Sequence, residues 1–204
     1  MLFRSTWWGN SIGRIDRVLK PFEAIRVTKS EQNTTRLSVV RREYQLDGLG
    51  LPTQIQANGG PVLAAPTRMV VTIDGKDVIV QPTAPLSITQ THDWRVEFTG
   101  KGTAAGLQFD IKGNIEQDGL VDLSLTYAPS AHPVTVQGLR VEFALDDAQG
   151  TWMAAIGMGG NYASRTIGKV PAGQGVVWDT KTVMSSAGTG MTVGNWLEIG
   201  RAHV

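Results

Sequence analysis

The chain of 204 residues contains no cysteine. That excludes disulfide staples, a thiol nucleophile and thiolate metal sites. It has almost no net charge either: 19 basic side chains against 18 acidic ones leave +1. Such a balance offers no footprint for nucleic acid or for an anionic lipid surface, so neither is an expected partner. Apolar runs are short, and none approaches the roughly 18 residues that a membrane helix needs. Residues 1–8 (MLFRSTWW) lack the apolar core of a secretory signal. What the chain does have is punctuation. Its 24 glycines and 9 prolines argue for many turns between short strands rather than for long helices.

Period-two alternation sets in from about Arg36. Val121, Leu123, Leu125 and Tyr127 share one phase, and Asp122, Ser124 and Thr126 the other. Leu139, Val141, Phe143 and Leu145 repeat the pattern, as do Trp94, Val96 and Phe98, and Leu107, Phe109 and Ile111. Each suits a strand with one face in a core and one in water, so Trp94 is expected to be buried. Asp74-Gly75 predicts a hairpin between residues 69–73 and 78–80. Gln117-Asp118-Gly119 and the stretch 128–133 join further pairs, and residues 100–106 read as a longer loop. Seven or more strands with such short links predict an all-β fold, an antiparallel sandwich. Its larger, mutarotase-like supersandwich form is the alternative. One or two helical turns over residues 11–19 would end at Pro21. Residues 150–196 are glycine-rich with little alternation and read as irregular loops with a few edge strands.

Three segments result: an extension (1–20), the sandwich (21–196) and a tail (198–204). The tail, EIGRAHV, is what the codons GAG ATC GGA AGA GCA CAC GTC encode, which resembles a sequencing adapter read in frame. It is expected to be an artefact, with the natural chain continuing past Trp196.

Chemical motifs are sparse. Gly157-Met158-Gly159-Gly160 lacks dinucleotide spacing, and no phosphate-binding loop or nucleophile elbow appears. His92 and His132 stand alone, so no metal and no cofactor is expected. Asp146-Asp147 reads as a solvated turn rather than a calcium site. Glu97, Glu116, Asp122 and Glu142 fall on the phase opposite to the apolar residues. That phase faces water, whereas a general acid needs burial or a like charge to raise its pKa. No catalytic residue is therefore assigned. Tryptophan remains, with six in the chain. Indole faces stack on the apolar faces of sugar rings. Trp7, Trp8, Asn161 and Trp178, in polar or glycine-rich stretches outside the alternating core, are the candidate carbohydrate contacts. Trp152 and Trp196 have a similar claim to lining a groove.

One series of motifs is distinctive: residues 6–13 (TWWGNSIG), Arg42-Glu43-Tyr44, residues 50–55 (GLPTQI), residues 63–66 (LAAP), and residues 153–162. In order and spacing it resembles the N-terminal β-sandwich of bacterial glycoside hydrolase family 123-like proteins. The likeness spans roughly residues 5–180. Pro21-Phe22-Glu23 departs from a Pro-Trp pair, and the glycine motif at 157–160 is short. The resemblance implies a hydrolytic Asp-Glu pair in a barrel that follows the sandwich, acting with an N-acetyl group on β-linked N-acetylgalactosamine. No Asp-Glu dipeptide occurs in this chain. The expected function is thus a non-catalytic module that supports the missing C-terminal catalytic domain and contacts glycan, in a parent that is exported. A stand-alone lectin-like domain, a mutarotase-like enzyme and a purely structural surface domain remain the alternatives.

Overall fold

Apolar alternation becomes alternation in burial in the computed structural model, which describes residues 16–29, 34–156, 165–177 and 196–200. Five strands form a meander in the order of the chain: β1 (Arg26–Lys29), β2 (Thr35–Val39), β3 (Arg42–Leu46), β4 (Pro52–Ala57) and β5 (Gly60–Pro61). Next come β6 (Leu63–Ile73), β7 (Lys76–Ile79), β8 (Gln81–Pro82) and β9 (Ser87–Thr91). The long pair β10 (Arg95–Ala104) and β11 (Leu107–Glu116) precedes β12 (Val121–Pro129) and β13 (Gly138–Leu145). A second sheet runs β12-β11-β10-β8 with β9 also on β10, and a third runs β13-β6-β7. The pairs β1–β2, β2–β3, β3–β4, β6–β7, β10–β11 and β11–β12 are antiparallel, and no helix occurs among the described residues. The fold is all-β and sandwich-like.

The described residues fall into two compact units, one holding those within 1–60 and 66–142, the other those within 61–65 and 143–204. In the first, the inner face of the β10–β11 sheet meets two partners. Val96, Phe98 and Ile115 pack with Leu37, Val39, Tyr44 and Leu46 of β2 and β3. Leu107, Phe109 and Ile111 pack with Met69 and Val71 of β6 and with Leu49 and Leu51. The connection that carries Leu49 and Leu51 is held by Asp47, whose Oδ1 accepts hydrogen bonds from the amides of Leu49 (2.8 Å) and Leu51 (2.9 Å). Burial pushes the Asp47 carboxyl pKa up, while those amides and that of Gly50 oppose the shift.

The second unit contains β14 (Trp152–Ile156), β15 (Arg165–Lys169) and β16 (Trp196–Gly200), with β14 in the middle. Glu198, Ile199 and Gly200 pair with Ala154, Met153 and Trp152. Strand therefore runs on past residue 196.

Turn chemistry behaves as its residue types demand. Asp74 and Gly75 both take positive φ (50° and 71°) and close the β6–β7 hairpin. Residues 100–106, whose composition predicts a loop, are mostly strand: β10 continues to Ala104, and the turn is only Ala105-Gly106, again with positive φ. The reason is close approach. A Cβ on Gly100 would lie 2.6 Å from the Gly48 carbonyl oxygen and 2.7 Å from the Leu49 carbonyl carbon. Glycine here lets a strand touch a neighbouring backbone; it does not loosen the chain.

Three other expectations change. The strands β12 and β13 follow one another but join different sheets, because the link through Val134 and Val136 packs onto the core instead of forming a tight turn. Their apolar phase is also only partly covered: Tyr127 is 47% exposed and Val141 42%. Of the helical turns predicted over residues 11–19, positions 11–15 lie outside the described residues, and 16–19 are not helical.

On β6, β7 and β13, Arg140 grips Asp77 with two hydrogen bonds (3.1 and 2.6 Å) and Glu142 with a third (2.8 Å). Arg68 reaches Glu142 at 2.6 Å. The Arg140 hydrogen bonds, with help from Thr72, lower the Asp77 pKa from 3.8 to about 2. A depressed folded-state pKa stabilises the fold above about pH 4, and this contribution is lost as the pH falls towards 2. In Asp77→Asn, stability should therefore fall less steeply between pH 4 and 2 than in the parent. Urea titrations at stepped pH measure this, and identical slopes would refute it.

Candidate functional site

The β9–β10 hairpin is tight. The His92 amide donates to the Arg95 carbonyl at 2.8 Å, which leaves Asp93-Trp94 as the turn. Neighbouring backbone pins it: the Ile25 amide donates to the Asp93 carbonyl (2.8 Å) and the Gln117 amide to the Trp94 carbonyl (3.0 Å). Held this way, the His92 and Trp94 rings stack with centroids 5.6 Å apart and planes 15° from parallel. Trp94, expected in the core, is only half-buried, because its position is the turn itself and not the strand.

Arg95 begins β10 and lies opposite Glu116 in the β10–β11 register. Its Nε is 3.1 Å from Glu97 Oε1, and its Nη1 is 3.5 Å from Glu116 Oε1. The Nε atom is buried and its N–H is not aimed at an acceptor among the described residues, so charge rather than a directed hydrogen bond joins it to Glu97. Gln90, His92, Trp94, Arg95, Glu97 and Glu116 line a hollow of about 710 Å3, completed by Asp16 and Gln117.

A stacked aromatic pair beside amides and carboxylates has the makings of sugar recognition: a flat apolar face next to hydrogen-bonding groups. Cleavage asks for something else. A glycosidic acid is a sheltered carboxyl whose proton is retained. Here the two carboxylates share one guanidinium and are each about a third exposed (36% and 37%).

The four expected carbohydrate contacts, Trp7, Trp8, Asn161 and Trp178, all lie outside the described residues, as does the glycine motif at 157–160. Trp152 is exposed on β14. His132 is exposed in the link after β12 and does not converge with His92. Asp146 caps a turn, accepting the Ala148 amide at 2.9 Å. No group of three His, Asp or Glu side chains that could hold a metal occurs among the described residues, and no helix long and apolar enough to cross a membrane is present among them.

Alternation correctly puts Glu97, Glu116 and Asp122 on the outer phase. It misses that Glu97 and Glu116 share a hollow with a ring pair. The signal was register: a two-residue turn at Ala105-Gly106 dictates that Arg95 faces Glu116. A two-residue turn at Asp93-Trp94 likewise sets His92 beside Trp94.

No curated protein matches the chain. Residues 29–182 match the family described as glycoside hydrolase 123, third domain. That description calls the domain third, where the resemblance of the motifs implied an N-terminal module; both refer to glycoside hydrolase 123 proteins. The match covers more than half of the 204 residues, and the antiparallel sandwich-like fold accords with it, so the chain belongs to the glycoside hydrolase 123 third-domain family.

Proposed function

We propose that the chain is a non-catalytic β-sandwich module of a glycoside hydrolase, which supports the catalytic domain of the same polypeptide and contacts carbohydrate. The observation that carries the non-catalytic role is the placement of Arg95 between Glu97 and Glu116. A carboxylate already engaged by a guanidinium is poorly placed to lend a proton to a leaving oxygen. Apolar side chains on the inner phase of β12 and β13 support the second part. Leu123, Tyr127 and Val141 stay at least a third exposed, which suits contact with a further domain.

The chain is expected to release no chromophore from aryl glycosides of β-linked hexoses or N-acetylhexosamines. Turnover that Glu97→Gln or Glu116→Gln abolishes would refute the non-catalytic reading. A lectin-like domain that works alone is the second reading, favoured by the hollow itself. It requires the same glycan affinity with and without a catalytic domain attached, whereas the support module requires a gain on attachment.

A further inference from the structure

The hollow does not end at the hairpin. Register places Gln90 of β9 opposite Glu97 of β10, Glu97 opposite Asn114 of β11, and Asn114 opposite Asp122 of β12. Four strands thus carry one unbroken polar row across the outer face. At about 4.8 Å between strands it is about 14 Å long. The amides of Gln90 and Asn114 and the Asp122 carboxylate have no side-chain hydrogen bond or ion pair among the described residues. A second depression, of about 160 Å3, borders Arg95, Glu97, Asn114 and Asp122. It continues the first along the Arg95–Glu97 pair.

We infer that this outer face binds a short neutral glycan laid across the strands, with one sugar ring against Trp94 and the next hydroxyls along the Gln90–Glu97–Asn114–Asp122 row. The inference rests on the carbohydrate contact proposed above and gives it a location and a ligand class. Amides and carboxylates in a row match hydroxyls, which both donate and accept. The Trp94 indole supplies the apolar platform that a ring's C–H face needs. Charge sets the class. Asp16, Glu97, Glu116 and Asp122 surround only two cations, Arg95 and Lys112, in the two depressions. A uronic acid would bring another negative charge into that field.

Calorimetric titration of the full chain with cellotetraose, tetra-N-acetylchitotetraose and tetragalacturonate tests this. Binding of a neutral tetrasaccharide is expected, weakened at least about tenfold, or about 1.4 kcal/mol, in Trp94→Ala and about threefold in Asn114→Ala. The Asn114 variant removes an outward-facing amide, so it reports on the row even if the Trp94 variant fails to fold. Binding that neither variant changes would overturn the location while leaving the carbohydrate contact standing elsewhere. Equal binding of tetragalacturonate would overturn the ligand class. No binding of any of the three would overturn the inference and the carbohydrate contact together, with the support role untouched.

Discussion

Phe98→Ala is expected to lower the stability of the first unit by about 3–5 kcal/mol, the range for truncating a buried aromatic ring. Phe98 is 1% exposed in the middle of β10. Its ring covers two glycines. A Cβ on Gly50 would come within 2.5 Å of its Cε2, and one on Gly113 within 2.5 Å of its Cζ. Glycine at these positions makes the room that the ring fills, so the three positions act as one packing unit. A double-mutant cycle follows from this. Gly113→Ala is destabilising alone and should be markedly less so in the Phe98→Ala background, where the ring no longer occupies the new methyl's place. The coupling should fall in the range of about 0.5–3 kcal/mol seen for residues in contact. Urea midpoints at unchanged slope measure it. Additive effects would mean that the ring does not lie on Gly113.

Gly100→Ala should cost about 3 kcal/mol, at the upper end of what overpacking costs. The added methyl meets backbone, not a side chain that can swing away: the Gly48 carbonyl oxygen at 2.6 Å and the Leu49 Cα at 2.8 Å. That backbone is itself anchored by the Asp47 carboxylate through the Leu49 and Leu51 amides, and its leucines are buried. Relief would require either breaking those hydrogen bonds or lifting the leucines from the core. By contrast, Gly75→Ala meets no atom within 4 Å and carries only the strain of a positive φ. If Gly100→Ala proved no worse than Gly75→Ala, the close contact between β10 and the 47–51 connection would be wrong.

Local pattern determined much of this protein. Strict alternation of Val96 and Phe98, and of Leu107, Phe109 and Ile111, marked two strands and told inner face from outer, because side chains on a strand point alternately to its two sides. Asp74-Gly75 marked a hairpin because only certain residues accept its backbone angles. The motif series by itself points to glycoside hydrolase family 123. Other matters depended on what a face meets across space. Tyr127 and Val141 keep the right phase yet stay exposed, since alternation names a side but not whether a layer covers it. Residues 100–104 looked like a loop because a backbone-to-backbone approach between distant segments leaves no trace in local composition except glycine itself. The hollow at the hairpin belongs to the same class. Its residues come from three strands, two turns and the segment before β1, and only cross-strand register brings the His92–Trp94 stack, Arg95, Glu97 and Glu116 into one place.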